Sequence, residues 1–154
     1  MVWITGASSG IGEALALECA DQGAKLVLSA RNELGLNRVA KNCSCEHMIL
    51  PLDLSNSSNF NNLAEKVNNH FGSIDILVNN GGISQRSKAD ETTLEVDRKL
   101  MEVNYFGTVA LTKAVLPIMQ HQKSGHFVAV SSFSGKFGFH LRSAYSASKF
   151  ALVG

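Results

Sequence analysis

The sequence predicts an α/β protein built on a doubly wound parallel sheet. Three observations carry that expectation. Short apolar runs alternate with helix-length stretches from end to end, those runs are apolar nearly throughout, and a glycine-rich turn joins the first run to the first helix. Strands without polar alternation are those covered by helices on both faces, which is the situation of a parallel sheet. The β-α order implies right-handed crossovers.

The expected strands are Val2–Thr5, Leu26–Ser29, Met48–Leu52, Ile74–Asn79 and Phe127–Ser131, all rich in β-branched or bulky apolar residues. Phe60, Leu63, Ala64, Val67 and Phe71 step by three and four, which draws one apolar stripe along a helix. Val96, Leu100, Val103, Gly107, Leu111, Ala114 and Ile118 do the same over a longer helix. A last helical stretch runs from Ala144 to Gly154. Gly23, Gly72 and Gly125 are expected to close helices. Pro117 is expected to bend or shorten the long one. No repeat, low-complexity tract or linker divides the chain, so residues 1–154 read as one domain.

Composition narrows the function classes. The chain is 45% hydrophobic and 18% charged, which is globular. A net charge of +1 gives no electrostatic case for nucleic acid or an acidic membrane surface. His47, His70, His121, His126 and His140 are scattered without metal-ligand spacing. Cys19, Cys43 and Cys45 are odd in number and lack a C-x-x-C pair, so no disulfide framework is expected and a reducing compartment is the default reading. Cys43 and Cys45 alone do not complete a metal site. No apolar run reaches the roughly 20 residues a bilayer requires. A strand beginning beside Met1 leaves room for an upstream segment, a membrane anchor included.

Chemistry enters at Thr5-Gly6-Ala7-Ser8-Ser9-Gly10-Ile11-Gly12, between a strand and a helix. A pyrophosphate must approach this backbone closely, and a Cβ would block it. The helix behind it directs free N–H groups and its positive dipole end at the anion. Ser8 and Ser9 add hydroxyl donors, and Gly12 lets helix and strand pack tightly. The spacing G-x3-G-x-G differs from the general G-x-G-x-x-G fingerprint, and its bland alternative is a tight turn.

The second strand ends at Leu28-Ser29-Ala30-Arg31. An acid at this tip would accept a bond from an adenosine 2′-hydroxyl, whereas a guanidinium suits a 2′-phosphate. Arg31 therefore favours NADP(H), with NAD(H) possible and an ordinary surface arginine as the alternative. Glu33 could cap the next helix or touch the ribose. Asp53, in Pro51-Leu52-Asp53-Leu54, is either a helix cap or an acceptor for the adenine amino group.

Tyr145 and Lys149 are four apart in the last helical stretch, so both side chains share one face. An ammonium near a phenol stabilises the phenolate, and such a tyrosine can exchange a proton with a carbinol oxygen. Ser132 follows the fifth strand at its carboxyl end, where ligands bind in open α/β sheets, with Ser131 as competitor. Asn104 interrupts the apolar pattern of the long helix. It either holds a water that refills the proton or is a satisfied buried amide.

Taken together, Gly6-x3-Gly10-Ile11-Gly12, Asn79-Asn80-Gly81-Gly82, Asn104, Ser132 and Tyr145-x3-Lys149 resemble the short-chain dehydrogenases/reductases over the whole chain. The resemblance implies a Rossmann-type sheet and an NADP(H)-dependent oxidoreductase that interconverts a small-molecule carbonyl and a secondary alcohol. It makes Tyr145 the acid/base, with Lys149, Ser132 and Asn104 as its catalytic partners. It places Thr5, Gly6, Ser8, Ser9, Gly10, Ile11, Gly12, Arg31, Asp53, Leu54, Asn79, Gly81, Tyr145 and Lys149 along the cofactor, with Asp53 at the adenine. The usual alanine of the N-N-A-G motif is Gly81 here. Epimerase and dehydratase relatives also carry Y-x3-K, but usually with a G-x-x-G-x-x-G loop.

The family continues past Lys149 through two more strands and a substrate loop that these 154 residues do not hold. The resemblance therefore implies an incomplete sheet whose fifth strand is an exposed edge, and low stability and activity for this stretch alone. It also implies a homodimer or tetramer at full length. The expected location is cytoplasmic, or the endoplasmic reticulum membrane where an anchor precedes the first strand.

Overall fold

The computed structural model describes residues 1–154. Five parallel strands form one sheet: β1 (Val2–Thr5), β2 (Leu26–Ser29), β3 (His47–Ile49), β4 (Ile76–Asn79) and β5 (His126–Ala129), in the order β3-β2-β1-β4-β5. The chain works outward from β1 in one direction, returns, and works outward in the other. This is the expected doubly wound α/β architecture.

The ends of three strands differ from expectation, for local reasons. Past Ile49 the N–H groups of Leu50 and Leu52 still reach Leu28 and Ala30, at 3.0 and 3.1 Å, but Pro51 between them has no N–H to give. Ahead of β4, Ile74 is served by a side chain. Its N–H donates to Gln122 Oε1 (2.9 Å) and its carbonyl accepts from Gln122 Nε2 (3.0 Å). Beyond β5, Val130 N–H still donates to Asn79 O at 2.9 Å.

Six α-helices cover the sheet: α1 (Gly10–Asp21), α2 (Glu33–Ala40), α3 (Phe60–Phe71), α4 (Leu94–Met101), α5 (Gly107–Gln122) and α6 (Ser143–Val153). Side chains alternate across each strand, so two cores form. Trp3, Val27 and Leu77 face Phe60, Ala64 and Val67 of α3 and Leu111, Ala114 and Val115 of α5. Val2, Ile4, Leu26, Leu28 and Val78 face Ala16 and Ala20 of α1 and Leu36 and Val39 of α2. Each fully buried side chain of this size contributes about 1.5–3 kcal/mol.

The single long helix expected from the apolar steps is one rod with an irregular middle. Between α4 and α5, residues Glu102–Phe106 form a π-turn that contains Asn104. α5 runs through Pro117 to Gln122. It ends on Lys123, whose left-handed backbone (φ 57°) does the work expected of Gly125. Gly72 does close α3 in the left-handed form, at φ 81°. β5 is an outer strand, and all four of its residues are exposed. The three cysteines are free. No helix is long and apolar enough to cross a membrane.

Candidate active site

In the strand order β3-β2-β1-β4-β5 the winding reverses between β1 and β4, and the loops at their carboxyl ends part there. A cavity of about 350 Å³ opens at that point. The turns after β1 through β4 all reach it, with Gly6, Ser8 and Ser9, Ala30 and Arg31, Leu52 to Leu54, and Asn80 to Gly82 on its walls.

Thr5 is the buried pivot. Its Oγ1 accepts from Asn80 N (3.0 Å) and Gly81 N (2.9 Å) and donates to Val78 O (3.2 Å). Asn80 Nδ2 returns a bond to Thr5 O at 2.9 Å. The two loops are thus drawn together until no side chain fits between them. Gly6 adopts φ +66°, and a Cβ on it would lie 2.8 Å from Asn80 Nδ2 and Gly81 Cα. A Cβ on Gly12 would lie 2.3 Å from Gly6 O. Gly10 is left-handed, yet a Cβ there would meet nothing within 4 Å, so its need for glycine is conformational. An alanine at Gly81 would press on the end of Leu54, whose Cδ1 stands 2.7 Å away and can swing aside.

Ser9 caps α1 with extended backbone and makes no side-chain cap bond, so its hydroxyl remains available beside the free N–H groups of the first turn. Ile11 is exposed. An unexpected brace sits behind this loop. Arg38 of α2 donates to Glu13 Oε2 of α1 (2.7 Å) and to Ser8 O (3.2 Å). The guanidinium holds the Glu13 carboxyl below its ordinary range.

At the β2 tip, Ser29 does not face a ligand: it is buried and accepts from Trp3 Nε1 at 2.9 Å. Arg31 is exposed on the cavity wall and has no carboxylate bridge. Asn32, rather than Glu33, caps α2 through Gly35 N–H (3.0 Å). Asp53 is not the cap of α3, which starts at Phe60 behind Asn59. Its Oδ1 accepts from Ser55 N (2.9 Å) and Ser55 Oγ (2.8 Å), which leaves Oδ2 uncommitted. Those two bonds, helped by Arg31 and Lys99, hold its carboxyl below the usual aspartate range.

The second half of the site lies where β5 passes into α6. Ser132 is extended, and its Oγ accepts from Ser134 N at 3.1 Å, starting a single 3-10 turn over Phe133–Gly135. Tyr145 and Ser132 line a cavity of about 610 Å³ that also holds Ser84, Arg86 and Arg142. Tyr145 also borders a smaller cavity of about 210 Å³ with Lys149, Ser131, Ile11, Asn80 and Gly82. The phenol ring is therefore a shared wall. Its neighbour Lys149 is buried, with Nζ 5.9 Å from the ring centroid and donating to Val130 O at 2.8 Å. Burial pushes the Lys149 ammonium below the ordinary lysine value.

Asn104 spends its amide on structure. Oδ1 accepts from Ile83 N (2.8 Å), while Nδ2 donates to Ile83 O (3.0 Å) and to Ser148 Oγ (2.9 Å). The π-turn thus ties the loop after β4 to α6. Asn79 lines none of these cavities. Its Nδ2 donates to Thr112 Oγ1 of α5 at 3.0 Å, in keeping with a sheet-bracing role. Sequence reasoning missed Ser148, Thr112 and Arg142, because each meets its partner only through the tertiary fold.

A β-α-β sheet with a tight glycine turn at its switch point, and a tyrosine and lysine across the cleft, defines a dinucleotide-binding oxidoreductase fold. Residues 1–154 match the short chain dehydrogenase family, to which the chain belongs. It is 48% identical over 161 residues to dehydrogenase/reductase SDR family member 7 of Mus musculus, covering 100% of this chain and 48% of the mouse protein. It is 51% identical over 160 residues to the SDR family protein 7-like of Anopheles gambiae, covering 99% and 50%. Among solved structures, levodione reductase superimposes with a TM-score of 0.95 at 31% identity, over 99% of this chain and 62% of that one. A metagenomic short-chain oxidoreductase in complex with NADP gives 0.94 at 33%, over 100% and 70%. The chain spans about half the length of the curated relatives it matches.

Proposed function

We propose that this chain supplies the nucleotide site and the proton-transfer group of an NADP(H)-dependent oxidoreductase acting on a carbonyl or secondary alcohol. The observation that carries this reading is the placement of Tyr145 as the common wall of two cavities, one shared with Ser132 and the other with Lys149. The separate cavity of about 350 Å³ at the switch point suits a dinucleotide: Gly6 lines it with no side chain, and the Ser9 hydroxyl and first turn of α1 are uncommitted. Gly6, Ser8, Ser9 and Ile11 would hold the diphosphate, Arg31 a 2′-phosphate, Asp53 the adenine amino group through Oδ2, and Lys149 the nicotinamide ribose. A reduced nicotinamide bound there supplies hydride.

In the reducing direction, Tyr145 Oη gives its proton to the carbonyl oxygen while Ser132 Oγ donates to that same oxygen. The Lys149 ammonium, held by Val130 O, favours the negative charge left on Tyr145. Asn104 fixes Ile83 and Ser148 on either side of the site rather than meeting substrate. The test is Tyr145→Phe in the complete protein. NADPH-dependent reduction of a carbonyl panel falls by about 10²-fold or more, while NADPH fluorescence quenching is retained. Normal turnover by this variant overturns the reading.

The phosphate-binding turn, with its uncommitted Ser9 hydroxyl and glycine floor, also suits a narrower reading for these 154 residues: nucleotide binding without turnover. NADPH quenching without carbonyl-dependent NADPH oxidation distinguishes it.

A further inference from the structure

Arg142, the residue that precedes α6, has no carboxylate partner although it is half-buried. Its guanidinium spends one nitrogen on the loop after β4. Nη1 donates to Ser84 Oγ and to Gln85 O, the latter at 3.0 Å. One residue earlier, Leu141 O accepts from Ser87 N at 3.2 Å. Leu141 adopts φ +62°, a left-handed backbone that a leucine does not choose by itself. That strained residue turns the chain so that its carbonyl and the next side chain both meet the same loop.

The loop so gripped is firm in its own right. Gln85 Nε2 donates to Ser87 O (3.2 Å), Ser87 Oγ (2.8 Å) and Thr92 Oγ1 (3.1 Å), and Asn104 holds Ile83 by both its N–H and its carbonyl. Arg142 therefore joins two rigid pieces, the wall carrying Ser84 and the first turn of α6 carrying Tyr145. Its guanidinium carbon stands 5.8 Å from the Tyr145 ring centroid, and Lys149 Nζ stands 5.9 Å from it. The phenol ring thus has two anchored cations within 6 Å of its centre.

We propose that Arg142 is a positioning residue, which sets the Tyr145 hydroxyl against the substrate oxygen by clamping the start of α6 to Ser84 and Gln85. This rests on the proton-transfer reading of Tyr145. The clamp acts on geometry at the reacting oxygen, whereas the phosphate and adenosine end of the nucleotide cavity is lined by the turns after β1, β2 and β3, none of which Arg142 touches. A lysine at position 142 keeps the charge, but its ammonium ends one bond short of the Nη1 position that reaches Ser84 and Gln85.

The test uses the complete protein with NADPH and 4-nitrobenzaldehyde as the carbonyl probe. Misplacing a reacting group by about an ångström costs on the order of 10²-fold. Arg142→Gln lowers kcat by roughly 10–100-fold on that scale, with the dissociation constant for NADPH within about twofold of wild type. Arg142→Lys recovers only part of kcat. Ser84→Ala causes a smaller loss, and adding it to Arg142→Gln costs nothing further, because the bond is already gone. A normal kcat in Arg142→Gln, a loss that tracks NADPH affinity, or independent effects of Ser84 and Arg142 each overturn the proposal. Should Arg142→Gln lack a cooperative thermal transition, Ser84→Ala and Arg142→Lys decide it: wild-type kcat in both rejects the clamp. Wild-type turnover in Tyr145→Phe would instead reject the underlying function.

Discussion

The hydroxyl of Thr5 accepts the backbone N–H of Gly81 at 2.9 Å and thereby stitches the turn after β1 to the turn after β4 across the mouth of the nucleotide cavity. With the second bond from Asn80, one buried oxygen satisfies two donors 75 and 76 residues away in the chain. Thr5→Val preserves shape and strands both donors. At about 1–3 kcal/mol for each unsatisfied group, it lowers unfolding stability by roughly 2–6 kcal/mol. Urea unfolding followed by the fluorescence of Trp3, the sole tryptophan, measures this. Thr5→Ser retains the oxygen and costs less. Equal losses in the two variants would assign the effect to the methyl group.

Gly107 opens α5 against the loop after β3. A Cβ there would stand 2.3 Å from Leu54 O, a backbone atom that cannot swing aside. Gly107→Ala therefore destabilises the fold by about 1–3 kcal/mol, the range for overpacking a filled contact. Because Leu54 lines the nucleotide cavity, NADPH binding weakens as well. Unchanged urea midpoint and NADPH affinity would show that α5 is free to move away from Leu54.

Arg31 faces the cavity without an internal ion pair. A charge-assisted bond contributes about 1.5–3 kcal/mol, so Arg31→Glu weakens NADPH by roughly tenfold or more. The introduced carboxylate accepts from a ribose 2′-hydroxyl, so NADH binding improves. Titrating both nucleotides against both proteins tests this. A parallel change in the two affinities would remove Arg31 from the adenosine end.

Asp53 is held below the ordinary aspartate range by its two bonds from Ser55. A carboxyl whose folded pKa is depressed stabilises the native state above its unfolded value and loses that contribution as pH falls through the folded one. Wild type is therefore more stable than Asp53→Asn at neutral pH. The gap narrows below about pH 5 and closes in strong acid. The difference is small because the group is exposed. Paired urea midpoints across that range measure it, and a constant gap would mean that the Ser55 bonds do not depend on ionisation.

Residues that act through local rules were legible in the sequence. Val2–Thr5 and Leu26–Ser29 form strands with the expected bounds, and the stripe from Phe60 to Phe71 is α3. The glycine turn falls at the switch point because adjacency alone places it between β1 and α1. What stayed hidden depends on distant partners. Ser29 carries no mark in the sequence of the bond it accepts from Trp3, which only the pairing of β1 with β2 creates. Asn104 reads as a polar break, and only the fold shows Ile83 and Ser148 filling its bonds. Lys123 ends α5 in a left-handed conformation with no sequence mark, while Gly125 lies beyond. Arg142 carries no local signal, since Ser84 and Gln85 are more than fifty residues away.

The π-turn at Glu102–Phe106 has a consequence for how the long rod meets its surroundings. An α-helix advances about 100° per residue, so one surplus residue in a turn rotates everything beyond it by that amount. The rod thereby presents different flanks on either side of Asn104: α4 lies along α6, while α5 lies along α3. Deleting one residue from the turn would restore a regular helix and swing one flank out of phase with its neighbour.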